Sequence, residues 1–395
     1  MIYRLSSMLV AAGLLACASP PNGTEDASTA NPAAVVSQSD PDCDRSHSLC
    51  FVRSVTDGFG YGLTDVFQAG SRLMLIANQE STLASLAIGP QGLVEAVVHA
   101  TAAEPWSGTA SDFDGDGILD IAVAHLGNAQ SGGTVTLQLG LRSGDWISGG
   151  SLPTGSNTYS VVALAHPAYE GAIVGVAASF DGKSLTPLIA RPGSTPTVGS
   201  QLAIPMSPSA LATGDVYRDG RIAVVAAGQK DGAGALTVAR PTRDGRLEAL
   251  GTSALGSALN AVAVADLDAD DPGMVLAADD VEDGSIFVVR WASHRANPSV
   301  VAKIPTASRP HAMAVGDLDL DGRLDLVVAA GGSGSLMVCR GWGGGSFGDC
   351  FDVQHGLKEP TDVAIADLDG DGRPELIAIG YEGKVSWLRR ATPSG

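Results

Sequence analysis

Three short stretches of this 395-residue chain crowd carboxylates together: "DFDGDGILD" at 112–120, "DLDLDGRLD" at 317–325 and "DLDGDGRPE" at 367–375. Each offers side-chain oxygens at its positions 1, 3, 5 and 9 and a backbone carbonyl at position 7. Glycine at position 6 permits the sharp turn. Four carboxylates within ~10 Å of one another repel by several kcal/mol in total at intermediate dielectric, so such a loop is unfavourable unless a cation sits in it. All-oxygen ligation suits a hard cation of flexible geometry, Ca2+ ahead of Mg2+. Aspartate and glycine also favour plain polar turns, but three complete copies at a fixed period argue for metal.

The rest of the composition narrows the function classes. Net charge is −19, and much of it is concentrated in these three stretches. No basic groove for phosphates is present, which excludes nucleic acid as a partner. Hydrophobic residues make up 45 % of the chain and aromatic residues 5 %, while 50 glycines imply many turns. The seven histidines are scattered, with no H-E-x-x-H and no G-x-S-x-G, so no catalytic motif is visible.

The N-terminus reads as a targeting segment. Arg4 supplies a positive charge, "MLVAAGLLA" (8–16) an apolar run too short for a membrane span of ~20 residues, and Cys17 follows. "LLAC" resembles the lipobox of bacterial lipoproteins. That resemblance implies cleavage before Cys17, lipidation of its thiol, and export to the outer membrane or cell surface. An ordinary secretory signal cleaved after Ala18 is the alternative. Residues 18–46, rich in Pro, Ala, Ser and Thr without an apolar period, read as a disordered tether. Cys43, Cys50, Cys339 and Cys350 can pair in three ways. Pairing neighbours, Cys43 with Cys50 and Cys339 with Cys350, closes two short loops, and export favours disulfides over metal thiolates.

Aligned on the aspartate loop and the strand after it, the chain repeats seven times, with units starting at Asp65, Asp112, His166, Asp215, Asp266, Asp317 and Asp367. Each unit reads as four short strands rich in Val, Ile, Leu and Ala, bounded by Gly, Asp or Pro. Seven four-stranded units predict an all-β, seven-bladed β-propeller over residues 47–390. An open solenoid is the runner-up, but its usual repeat is much shorter. The last unit lacks a fourth strand, and "CFVRSV" (50–55) ahead of the first unit matches "CFDVQH" (350–355) of the sixth. An N-terminal strand is therefore expected to complete the last blade and remove an open edge.

The aspartate loops begin like an EF-hand, but the last acidic residue falls at position 9 rather than 12 and a strand follows instead of a helix. At this point the chain resembles the FG-GAP and VCBS repeat family, the propeller units also seen in integrin α-subunits. The resemblance implies a calcium ligand set in each complete loop. These are Asp112, Asp114, Asp116, Asp120 and the Ile118 carbonyl; Asp317, Asp319, Asp321, Asp325 and the Arg323 carbonyl; and Asp367, Asp369, Asp371, Glu375 and the Arg373 carbonyl. The fifth unit keeps Asp266, Asp268 and Asp270 but has Asp271 for the glycine and Met274 at position 9, a possible fourth site. The fourth has Tyr217 and Ala223 in place of ligands, and the first and third have lost the charges.

In a four-stranded blade the loops joining strands one and two share a face with those joining three and four. The opposite face is expected to carry the binding loops. Tyr61, Trp106, His125, Tyr159, Arg309, His311 and Tyr381 fall there and are expected to converge around the axis. Aromatic rings with polar neighbours suit a sugar or a peptide; loop packing is the plainer role for any one of them. Two functions remain. One is a monomeric, surface-tethered binding or adhesion module for a protein or glycan, stiffened by calcium. The other is a secreted carbohydrate-active enzyme, such as a polysaccharide lyase, using the axial pocket. The missing catalytic motif and the tether favour the first.

Overall fold

The computed structural model describes residues 36–39, 51–57, 59, 62–89, 92–128, 132–164, 173–191, 193–267, 273–293 and 296–390. The signal segment, Cys17, Cys43, Cys50, Tyr61, Asp268 and Asp270 lie outside them. Every regular element among the described residues is a β-strand, and no helix is long and apolar enough to cross a membrane.

The strands form seven antiparallel sheets that follow one another along the chain. Their second strands are short runs such as "DLVVAA" (Asp325–Ala330) and "ELIAIG" (Glu375–Gly380), buried at every residue. A strand apolar on both faces needs a neighbour on each side, and successive blades provide it. The buried apolar residues divide into seven clusters, each shared by two adjoining blades, including the one that joins the last blade to the first. The first strands, Leu63–Ala69, Pro105–Ser111, Thr158–Ala163, Ser207–Gly214, Leu259–Ala265, Pro310–Gly316 and Pro360–Ala366, touch one another in sequence around the ring and so line its axis. Small residues set the spacing there: a Cβ on Gly108 would stand 2.4 Å from the Phe67 ring of the preceding blade.

Closure follows the expected route. Phe51–Asp57 pairs antiparallel with Lys384–Arg390 and supplies the fourth strand of blade seven. A further short strand, Val36–Ser39, pairs with it from the outside, within the stretch read as tether. The outer strand of blade three is split into Thr197–Val198 and Leu202–Ala203. Cys339 and Cys350 form a disulfide that ties the third strand of blade six to its fourth.

The first unit was expected to begin its loop at Asp65, and this register is wrong. Asp65 lies inside the first strand, at the position Asp362 holds in blade seven, and the loop of blade one is reduced to a two-residue turn between Ala69 and Arg72. The aspartate was aligned by identity alone, whereas strand pairing aligns it with an axial residue.

Every first strand carries a bulge at the same place, and the skipped residues are Thr64, Trp106, Tyr159, Ser209, Asn260, His311 and Thr361. A bulge re-aims a side chain, and here it aims several at the next blade. Thr361 Oγ1 donates to the Leu63 carbonyl (2.8 Å) and Ser209 Oγ to the Leu259 carbonyl (2.8 Å). The following residue can also reach across: Asp362 accepts from Val66 N–H (2.9 Å), Asp65 from Gly108 N–H (2.6 Å) and Ser160 from Leu211 N–H (3.2 Å).

Asp65 and Asp362 are also hydrogen-bonded to each other. Burial, then the adjacent Asp65 charge, holds the Asp362 carboxyl well above its ordinary value of 3.8. A carboxyl whose folded pKa is raised favours the folded state less and less as pH climbs from the unfolded value through the folded one. Asp362→Asn keeps an acceptor for Val66 and supplies a donor for Asp65. The variant should match the parent's melting temperature near pH 5 and exceed it by several degrees at pH 8, a gap read from paired melting curves across that range.

Candidate metal centres

The three complete aspartate loops join first to second strands in blades two, six and seven, and they are built alike from their own backbone amides. The position-1 carboxylate spans the turn: Asp112 accepts from Gly115 and Gly117 (2.7 and 2.9 Å), Asp317 from Asp321 and Gly322 (3.1 and 2.8 Å), and Asp367 from Gly370 and Gly372 (2.8 and 2.9 Å). The position-5 carboxylate accepts from the amide two residues on, 2.8 Å in each loop, at Ile118, Arg323 and Arg373.

The acid at position 9 opens the second strand and is almost wholly buried. Asp120, Asp325 and Glu375 reach back to the position-2 amides of Phe113, Leu318 and Leu368 (2.8, 2.9 and 2.9 Å). Asp120 and Asp325 also accept from Gly140 and Gly341 on the third strand (2.8 and 2.9 Å). A carboxylate oxygen has two lone pairs, so these bonds hold the ring of donors while leaving capacity for a ligand.

Donor oxygens converge as the spacing requires. Those of Asp112, Asp114 and Asp120 lie within 4.8 Å of one another, as do those of Asp317, Asp319 and Asp325, and those of Asp367, Asp369 and Asp371. Asp116, Asp321 and Glu375 belong to the same loops but not to these tight groups. Gathering the acids has an electrostatic cost. Burial lifts the carboxyls of Asp114, Asp120 and Asp325 above their ordinary value and pushes Glu375 up to about 7, and like charges within each loop add to the effect. A divalent cation among the oxygens offsets both terms, and an all-oxygen set of this kind fits a hard ion.

Residues 317–378, which contain the loops of blades six and seven, match the FG-GAP-like repeat family. The ring itself has counterparts among solved structures. BBS1N, crystallised in complex with ARL6DN, aligns with a TM-score of 0.57 at 15% identity over 86% of this chain and 97% of that one. A functionally unknown protein from Desulfotomaculum acetoxidans aligns with a TM-score of 0.54 at 10% identity over 76% of this chain and 96% of that one. At such identities the likeness is one of fold. No curated protein matches the chain.

Blade four keeps the same turn while losing two of the acids. Asp215 still accepts from Asp219 and Gly220 (3.1 and 2.7 Å) and Asp219 from Arg221 (3.1 Å), but Tyr217 and Ala223 replace the acids at positions 3 and 9. A positive charge is supplied there by the protein. Arg240, buried on the third strand, grips both oxygens of Asp219 (2.7 and 2.8 Å) and lies over the Tyr217 ring. Arg218 bonds Asp266 of the fifth loop (2.6 Å), so that residue's charge is met by an arginine as well. Strand pairing aligns Arg240 with Arg340 and Arg389. Arg340 stands 3.8 Å from Asp319 of a complete loop, and Arg389 turns onto the Trp387 ring.

On the opposite face the expected binding residues form separate groups. Trp106 meets Tyr159 edge-on, with centroids 5.6 Å apart, and Tyr159 meets Phe180 at 5.2 Å. Arg309 and His311 stand 3.4 and 3.9 Å from Asp280, which also accepts from Asn260 (2.6 Å). Tyr381 accepts from Gln79 across the closing junction (2.8 Å). His125 is a correction: it is 2% exposed, with Nε2 bonded to Thr136 (2.8 Å) and Nδ1 near the Ala103 carbonyl (3.1 Å), which makes it an interior histidine rather than a surface ligand. Trp106, Tyr159 and His311 are all bulge residues, as is Asn260, which composition alone did not single out. Proline immediately before the bulge in blades two, four, six and seven (Pro105, Pro208, Pro310, Pro360) is the sequence signal that marks the position.

The arginine of blade four should behave unlike the acids of blades two, six and seven. Arg240→Met leaves Asp219 without its partner and should lower stability by about 1–3 kcal/mol. The loss should be equal in calcium and in EDTA when denaturant curves are compared.

Proposed function

We propose that this protein is a calcium-fastened, exported β-propeller that works as a binding module, holding a protein or glycan partner on the face opposite its metal loops. The observation that carries the reading is the threefold recurrence of one loop, with the same amide bonds and converging acids, at the same place in three blades. Calcium in these loops is structural: it joins the start of a buried second strand to the end of an axial first strand. The lipobox-like "LLAC" and the tether-like segment after it support attachment to a bacterial surface. The dispersed groups on the opposite face, aromatic at blades two and three and charged at blades five and six, support recognition of an extended partner by a monomer. They do not support turnover, and the protein is proposed not to be an enzyme.

Calorimetric titration of calcium-stripped protein should register about three sites, with a possible fourth at the loop of Asp266, Asp268 and Asp270. A cation that binds only the folded loop at a hundredfold excess over its Kd stabilises by about 2.7 kcal/mol, so EDTA should lower the melting temperature. Asp317→Ala should remove one site and leave the others. Heat without saturable binding, or a melting curve indifferent to EDTA, would refute the reading, as would turnover on a panel of acidic polysaccharides.

A further inference from the structure

The three complete loops carry nearly the same acids, but their surroundings differ in charge. Among the described residues, no acid of the loops in blades two and seven is in an ion pair. The loop of blade six meets three guanidinium groups. Arg340 Nη2 stands 3.8 Å from Asp319 at position 3, and Arg323 Nη1 stands 3.8 Å from Asp321 at position 5. Arg390, from the third strand of blade seven, donates to the Asp319 carbonyl (2.7 Å). The Arg323 side chain is 56% exposed, so water screens its charge. Arg340 and Asp319 are the enclosed pair, with side chains 24% and 11% exposed.

Arg340 lies on the third strand of blade six (Ser335–Gly343), opposite the position-9 acid Asp325. Strand pairing puts Leu139 at the same place in blade two, Arg240 in blade four and Arg389 in blade seven. Leu139 carries no charge. Arg389 is turned onto the Trp387 ring, 4.5 Å from its centroid. Arg240 grips both oxygens of Asp219 in a turn that has lost two acids. Arg340 stands between these cases. Its Nε and Nη2 are buried and make no hydrogen bond, so they bring charge to the loop without fixing the orientation of Asp319.

We infer that Arg340 makes the loop of blade six the weakest of the three calcium sites, the one that fills last and empties first. The inference rests on the calcium reading proposed above. Two effects add. The guanidinium repels a divalent ion beside Asp319, and burial of the pair limits screening by salt and water. It also attracts the Asp319 carboxylate when no ion is there, so the empty loop of blade six carries less unrelieved repulsion than those of blades two and seven. One unit charge against a divalent ion at this range is worth about tenfold or more in affinity at intermediate dielectric. Extracellular calcium modules bind at about 10⁻⁴–10⁻³ M, and a tenfold offset within that span separates a site that follows ambient calcium from two that stay filled.

Calorimetric calcium titration of the full chain tests this. The parent protein should show two tighter sites and one about tenfold weaker, and Asp317→Ala should delete the weak one. A further weak site at the loop of Asp266 is recognised by surviving that substitution. Arg340→Met keeps the buried stem and should tighten the blade-six site about tenfold, whereas Arg340→Lys keeps the charge and should leave it weak. Leu139→Arg is the reciprocal variant and does not depend on Arg340→Met folding; it should weaken one of the two tight sites by a similar factor. Three sites of equal affinity, or loss of a tight site in Asp317→Ala, overturn the inference while the calcium reading stands. So does a blade-six site that Arg340→Met leaves unchanged or weakens, the latter marking Arg340 as a support for the acids rather than a competitor. Absence of saturable calcium binding removes the reading and the inference together.

Discussion

A strand apolar on both faces cannot be stable alone, and the second strand of each blade is such a strand. Its two faces are covered only when a blade stands on either side, so the cluster between blades seven and one, and with it the cover of both end blades, exists only if the ring closes. The N-terminal strand Phe51–Asp57 hydrogen-bonds to the last blade and makes that closure a contact between distant parts of the chain. Around the axis, several bulge residues and the residues after them hand hydrogen bonds to the next blade, which links those first strands by polar groups.

Charge on the metal-loop face is managed in two ways within one ring. Blades two, six and seven gather acids whose raised pKa values register burial and mutual repulsion, an arrangement a hard cation relieves. Blade four keeps the amide scaffold of the same turn and neutralises it with Arg240, and Arg218 reaches to the next loop. In blade four the polypeptide itself places positive charge where the first strand hands over to the second, whereas the acids of the other three loops converge as a set that could hold a cation. Tyr217 occupies position 3 of that turn, and its ring lies under the Arg240 guanidinium.

Much of this was legible in the sequence because it is local or periodic. The D-x-D-x-D-G-x-x-[DE] spacing, the repeat near fifty residues and the unpaired first strand predict loops, blades and closure, since turn chemistry and strand alternation depend on neighbours in the chain. The same method misplaced Asp65, because an aspartate near a repeat boundary looks like the start of a unit until strand pairing sets its register. It also offered His125 as a binding residue near the axis, although its partners, Thr136 and the Ala103 carbonyl, come from the next strand and from the preceding inter-blade connection and hold it in the interior.

The sequence by itself therefore determined the blade count, the order of the strands and the residues of the acidic loops, because these follow from spacing along the chain. Only the tertiary structure decided that Arg240 pairs with Asp219, that the carboxyls of Asp65 and Asp362 meet at the axis, and that Tyr217 and Trp291 border one pocket. Each of these joins residues separated by twenty to three hundred positions. Such meetings depend on the angle and distance at which closed blades pack, quantities that no linear pattern encodes.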